Sequence, residues 1–364
     1  MQGQGQVPER VQISPFIAAY VIVAMQIGIG VLGFQRLVAK DAEYDAWISV
    51  LAAGLSIHLL VWMMYKICEM VEGDAVYANV FAFGKIIGNI INLFFIFFYL
   101  LSCVTVLGGL IEVIEVWMFE DLNRLLFGAV FLILGVYIVN GGFRSVAGIA
   151  FFSVVLPSYL MLTFGYTFKH ADFSNLFPIL DHTPGQLLKS GYNMSLTYLG
   201  YGVLLFFYPF IKKPQKSKKW VHLGILITTL LYTSLTLVTF MYFSLELLDK
   251  SIWATLEMWK IVQMPFIERF EYIGIANWAI IIIPNVAISL WASSRIAKRV
   301  FNVKQKKAVL LISIACLIIV LFLNTRERMT LFLDFQAKLG FILAYGYTPF
   351  LYFSVMIAKK VKKK

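Results

Sequence analysis

Ten long apolar stretches, separated by short polar intervals, leave this chain almost no way to fold outside a bilayer. They cover residues of about 13–36, 46–67, 86–114, 124–140, 146–168, 191–211, 220–244, 272–295, 307–324 and 332–357. About 20 apolar residues in a helix cross about 30 Å of hydrocarbon. The runs are continuous, whereas barrel strands would alternate over about ten residues. A helix also satisfies its own backbone hydrogen bonds, which lipid requires. The expected fold is therefore all-α and integral to the membrane, with about ten transmembrane helices in a single domain over 1–364. The third run is longer than a span needs and is expected to tilt.

Composition removes the main competitors. The chain has 364 residues, 60% hydrophobic and only 14% charged, against about 45–50% and 25% in soluble domains. The longest polar intervals, 168–190 and 245–271, are too short to fold alone. A net charge of +11 does not point to nucleic acid, because the basic residues crowd into 212–219, 295–307 and 359–364, each beside an apolar run. That is the pattern of loops facing anionic lipid. Cys68, Cys103 and Cys316 are far apart, as are His58, His170, His182 and His222. No disulfide framework, metal motif or cofactor is expected from them. Residues 1–10 are polar and the next apolar run is too long for a signal segment, so the first span is expected to be its own insertion signal.

With an even number of spans both ends share a side. Placing them in the cytoplasm puts 20 of the 31 lysines and arginines inside and 11 outside. The 6–7 loop alone holds Lys212, Lys213, Lys216, Lys218 and Lys219, and the 8–9 connection is as basic. Residues 1–11 and 358–364 are then cytoplasmic tails. In the 7–8 loop, Trp253, Leu256, Trp259 and Ile261 alternate with Glu257, Lys260 and Gln263. This predicts an amphipathic helix on the outer interface, ended by Pro265. An ordered loop packed on the bundle is the alternative.

Two spans carry glycine breaks near mid-membrane: Gln26-Ile27-Gly28-Ile29-Gly30 in the first and Leu199-Gly200-Tyr201-Gly202 in the sixth. Each glycine weakens a helix by about 1 kcal/mol against alanine. The backbone groups that a break frees must face a cavity, and paired breaks in two halves mark a midplane binding site. Close packing through small residues is the plainer account of one break alone. The spacing Gly28-X-Gly30-X-X-Gly33 also fits a dinucleotide fingerprint, but no strand precedes it. Tyr99 and Cys103 share a face of the third span, and Asn285 and Ser289 share one on the eighth, just after Pro284. Glu112 and Glu115 sit near the outer end of the third span, as snorkelling interfacial acids would. No acid is evident at depth, which argues against an obvious proton-coupling group.

These features together resemble the spore germination permease family, the B subunits of nutrient germinant receptors within the amino acid–polyamine–organocation transporter superfamily. The resemblance rests on the two breaks, the lysine-rich 6–7 loop and carboxyl end, Ile13-Ser14-Pro15 before the first span, the Asn140-Gly141-Gly142 turn and Phe177-Pro178-Ile179. It implies a five-plus-five inverted repeat, over about 13–168 and 191–357, with interrupted first and sixth helices. It implies a small nutrient ligand, an amino acid, held between spans one, three, six and eight by Gly28, Ile29, Gly30, Tyr99, Cys103, Leu199, Gly200, Tyr201, Asn285 and Ser289. It further implies an A subunit and a C lipoprotein as partners in the inner membrane of an endospore, and no catalysis. A secondary amino acid transporter of the same fold is the rival reading.

Overall fold

The computed structural model describes residues 7–362 except 264 and 266, so residues 1–6 and 363–364 of the two expected tails lie outside the described residues. Among the described residues seven helices are long and apolar enough to cross a membrane, and three shorter apolar helices join them. Grouped along the chain they make ten spans. Span 1 is Ile17–Gln26, then a 3-10 turn Ile29–Leu32, then Phe34–Ala42. Span 2 is Ala46–Val71. The helix assigned to Ala75–Trp117 bends sharply at Gly84 (φ 80°, ψ 174°), which separates a short helix, 75–83, from span 3. Span 4 is Arg124–Asn140, and span 5 starts as Phe143–Val155 and continues through 3-10 turns to His170. Span 6 is Pro184–Thr197, a break, and a helical stretch Tyr201–Phe210. Spans 7, 8 and 9 are Lys218–Tyr242, Phe270–Phe301 and Gln305–Phe322. Span 10 is Arg326–Phe341, a π-helical turn Ile342–Tyr347, and Thr348–Lys362.

Local chemistry starts several of these helices. Asp74, Asn123, Thr183 and Thr325 each accept an amide of the first turn on their side-chain oxygen. Thr183 also forms a capping box with Gln186, with Pro184 at the first helical position. The largest contacts join span 3 to span 8 and span 2 to span 7, partners five spans apart, as an inverted repeat of five helices requires. Both described ends and the lysine-rich loops lie on one face, called here the basic face; most acidic loop residues lie on the opposite, acidic face.

Two expectations need correction. The 7–8 loop does not lay a helix on lipid. Its helix Ala254–Trp259 is buried, with Trp259 0% exposed and its indole nitrogen donating to Thr163 Oγ1 at 3.1 Å. The apolar side of the pattern meets Phe164, Phe270 and Trp278 instead of acyl chains, and the helix ends at Trp259, before Pro265. Glu112 and Glu115 do not snorkel alone, because Arg326 and Arg124 bond to them. The connection between spans 2 and 3 holds the helix 75–83, whose Asn79 and Val76 are tied to Asn92 of span 3.

Candidate functional site

The two breaks meet. Gln26, the last residue of the first half of span 1, donates from Nε2 to the Tyr198 carbonyl at the span 6 break, 3.3 Å away. Its Oε1 accepts from Thr228 at 2.8 Å, and its own carbonyl accepts the Tyr232 hydroxyl at 2.8 Å. Span 7 therefore clamps both interruptions through one buried carboxamide. Asn285 of span 8 donates to the Ile27 carbonyl at 3.3 Å and to Ile281 at 3.0 Å, holding the other side of the first break. Gly200 has φ +121°, a region that side-chain-bearing residues avoid.

Around these breaks lies a cavity of about 510 Å³. Of the ten residues singled out from sequence, nine line it: Gly28, Ile29, Gly30, Tyr99, Leu199, Gly200, Tyr201, Asn285 and Ser289. Cys103 does not. Its thiol is fully buried against span 9, 3.5 Å from Cys316 Sγ, so the face of span 3 turned to the cavity carries Tyr99, Ser102, Thr105 and Val106. The hydroxyls of Thr105 and Ser289 make no hydrogen bond to protein. An unpartnered buried hydroxyl costs about 1–3 kcal/mol.

Span 10 is a wall that sequence reasoning missed. Gln336, Gly340, Leu343, Ala344 and Thr348 all line the cavity, and Gln336 donates to Ser102 at 3.1 Å. Gln336 was the available signal, as a buried carboxamide inside an apolar run. Ionisable residues line only the end of the cavity toward the acidic face: Lys40, Asp41, Lys189 and Asp334. There Asp41 pairs with Lys189 at 2.6 Å and accepts Asn193 at 2.8 Å. Met64, Leu205 and Thr348 line the cavity as well, and on the basic face lie an ion pair of Asp74 with Arg299, a Tyr65–Ser217 bond of 2.6 Å, and Arg295 5.1 Å over the Phe210 ring.

The loop before span 6 is fixed by one carboxylate. Asp45, between spans 1 and 2, accepts the amides of Leu180, Asp181 and His182 at 2.9, 2.8 and 3.2 Å and contacts the His182 ring nitrogen at 3.0 Å. Burial alone would push the Asp45 carboxyl up, but the His182 ring and the three amides outweigh it and hold it below the usual carboxylate range. Ser49 bonding the Leu187 carbonyl and Ser190 bonding the Val38 carbonyl complete a block made of the acidic-face halves of spans 1, 2 and 6.

Comparison with known proteins gives a consistent picture. A family model described as "Spore germination protein" matches residues 12–329. The chain is 42% identical to Spore germination protein GerQB of Bacillus cereus, over 95% of this chain and 96% of that one. It is 24% identical to Spore germination protein A2 of Bacillus subtilis (strain 168), covering 98% of each. Among solved structures it superposes on MhsT in complex with L-phenylalanine with a TM-score of 0.63 at 14% identity, over 97% of this chain and 89% of that one. It also superposes on Mhp1, a nucleobase-cation-symport-1 family transporter, with a TM-score of 0.57 at 11% identity, over 92% and 78%. At such identities the likeness is one of fold: an integral membrane bundle with two interrupted helices.

Proposed function

Because the chain belongs to the spore germination protein family, we propose that it is the nutrient-sensing membrane subunit of a germinant receptor, with an amino acid as its ligand. The observation that carries this reading is the convergence of both helix breaks on one cavity of about 510 Å³, a volume within the range of small-molecule sites. The unwound carbonyls beside Gly28 and Gly200 suit an ammonium group. The amide ends of the following half-helices suit a carboxylate. With no acid or base in the depth of the cavity among the described residues, a ligand of zero net charge fits it best. The basic face is cytoplasmic in this reading, the cavity opens to the opposite side, and the membrane is the inner membrane of the spore. An A subunit and a C lipoprotein read the conformational change; the ligand acts by favouring one of two states of the bundle.

The second reading, a secondary amino acid transporter, is favoured by the fold shared with the transporter Mhp1 and with MhsT, whose structure holds L-phenylalanine. One pair of measurements separates the two. Spores lacking this subunit are tested for germination on single amino acids, and the purified chain in liposomes is tested for accumulation of the same amino acids. Loss of germination to a particular amino acid without accumulation supports the sensor. Accumulation against a gradient with unchanged germination overturns it.

A further inference from the structure

Span 10 is α-helical above and below one π-helical turn, Ile342–Tyr347. Such turns carry one residue too many for regular α geometry and persist where surrounding contacts hold them. This one has two sets of contacts that face different parts of the protein. Leu343 and Ala344 within it, and Thr348 directly after it, line the cavity. The Tyr345 hydroxyl bonds Ser56 of span 2 at 2.6 Å. Tyr347, two residues on, bonds Asn79 in the short helix 75–83 on the basic face.

Below that turn span 10 packs on span 2, where Tyr352 meets Trp62, and it also reaches the same short helix. Phe350 stacks on Phe83 with ring centres 5.5 Å apart and planes 9° from parallel. Lys362 donates to the Phe81 carbonyl at 2.9 Å and its ammonium stands 4.0 Å from the Phe81 ring centre. Lys359 donates to the Met70 carbonyl at the end of span 2, at 2.9 Å. The helix is joined to span 3 through Gly84, whose φ of +80° and empty surroundings mark an unencumbered joint. A polar tie between Asn79 and Asn92, 2.8 Å long, holds it in its present place.

From these contacts we infer that the π turn of span 10 is a two-state coupling element that carries occupancy of the cavity to the basic-face helix 75–83. Converting the turn to α geometry removes one residue from it. That rotates the lower half of span 10 by about 100° relative to the upper half. Tyr345 and Tyr347 cannot keep both Ser56 and Asn79 through such a rotation. Contacts of a ligand with Leu343, Ala344 and Thr348 bias the choice between the two geometries. The lower half of span 10 then drags or releases the helix 75–83, which swings on Gly84. The ligand part of this inference rests on the sensing reading above; the mechanical part does not.

The test uses the full chain in nanodiscs with Ala78→Cys as a reporter, because Ala78 is fully buried on the short helix. Labelling by a charged maleimide reports opening of the helix, and the parental chain gives the background from its three buried cysteines. Tyr347→Phe is expected to speed labelling about tenfold, the change that loss of one buried hydrogen bond makes in an opening equilibrium. Deleting Gly346 takes out the extra residue itself, so both halves of span 10 keep their present registers in α geometry, and the reporter is expected to stay protected. Tyr352→Phe, on the same half of span 10 but not bonded to the helix, is expected to do nothing. Persistent protection in Tyr347→Phe, or opening in the deletion equal to that in Tyr347→Phe, overturns the inference, and Tyr347→Phe keeps the test open if the deletion does not fold. A mixture of the L-amino acids other than cysteine, whose thiol would consume the maleimide, is the ligand probe. It is expected to change reporter labelling in the otherwise native chain and not in the deletion. A mixture that raises thermal stability yet leaves labelling unchanged overturns the coupling while the sensing site stands. Should the mixture neither stabilise the chain nor alter labelling while Tyr347→Phe still exposes the reporter, the amino acid reading fails and the mechanical link stands.

Discussion

Gly200 and Met25 touch where the two interrupted spans cross: a β-carbon on Gly200 would lie 2.4 Å from the Met25 carbonyl oxygen. The oxygen is backbone, so no side-chain rotation can relieve the clash, and the φ of +121° is itself costly for any residue with a side chain. Gly200→Ala is expected to abolish nutrient response while the protein remains in the membrane. Gly202→Ala, where a β-carbon would meet nothing within 4 Å, is expected to keep it. Germination rate against immunoblotted membrane level checks the pair; equal effects from both would show that the break does not shape the site.

Cys103 is expected to be neutral toward ligand choice, because it packs on Cys316 and not on the cavity. Val106, one turn further and lining the cavity, is expected to matter. An apolar wall discriminates by about 1–3 kcal/mol per methylene, so Val106→Ala is expected to shift the ratio of half-maximal concentrations for two amino acids differing by a methyl group by roughly tenfold. Dose–response curves for both ligands in both variants decide it, and a shift with Cys103→Ala alone would reverse the assignment.

The Asp45 latch carries a pH dependence whose sign follows from its depressed pKa. A carboxyl held below its ordinary value of 3.8 gives stability that is present above that value and is lost as pH falls through the lower, folded one. Protection of the 5–6 loop from protease is therefore expected to be flat from neutral pH down to about 4 and to fail only below it. Asp45→Asn, which leaves the amides of Leu180, Asp181 and His182 facing a weaker acceptor, is expected to lose protection already at neutral pH. A parental chain that loosens between pH 7 and 5 would contradict this account.

Asp74 and Arg299 pair on the basic face, with Asp74 almost wholly buried. Removing one member of a buried pair costs about 3–5 kcal/mol, and because Asp74 keeps other partners, the Tyr77 amide among them, the low end of that range is expected. Arg299→Met is expected to lower the thermal unfolding temperature of the purified chain clearly, and Lys298→Gln, an exposed neighbour, to leave it nearly unchanged. A similar small shift in both would mean that solvent already reaches Asp74.

Topology is open to direct labelling. A cysteine at Lys216, exposed in the 6–7 loop, and one at Asp181, exposed in the 5–6 loop, are expected to react with an impermeant reagent from opposite sides of the membrane. Ser217 is the wrong reporter despite its place in the same loop, because it is buried under Tyr65. Reaction of both introduced cysteines from one side would exclude ten crossings.

The sequence by itself determined the number and type of the elements and the place of the two breaks. Length and hydropathy of a run are local properties, and a glycine cluster within such a run has few physical explanations in lipid. It also located the centre of the cavity, because an interrupted helix presents its freed backbone at Gly28, Gly200 and their neighbours. Tertiary structure alone decided three matters. Tyr99 and Cys103 are both compatible with one helical face, four residues apart, and only the packing of span 9 turned Cys103 away. The pattern of Trp253 to Gln263 has one apolar side whether lipid or protein covers it, and only the position of Phe164, Phe270 and Trp278 chose protein. The role of span 10 was least legible, because a π turn leaves the residue pattern of an α-helix almost unchanged. It exists here because Ser56, Asn79 and the cavity wall, contributed by distant parts of the chain, hold Tyr345 and Tyr347 in one register.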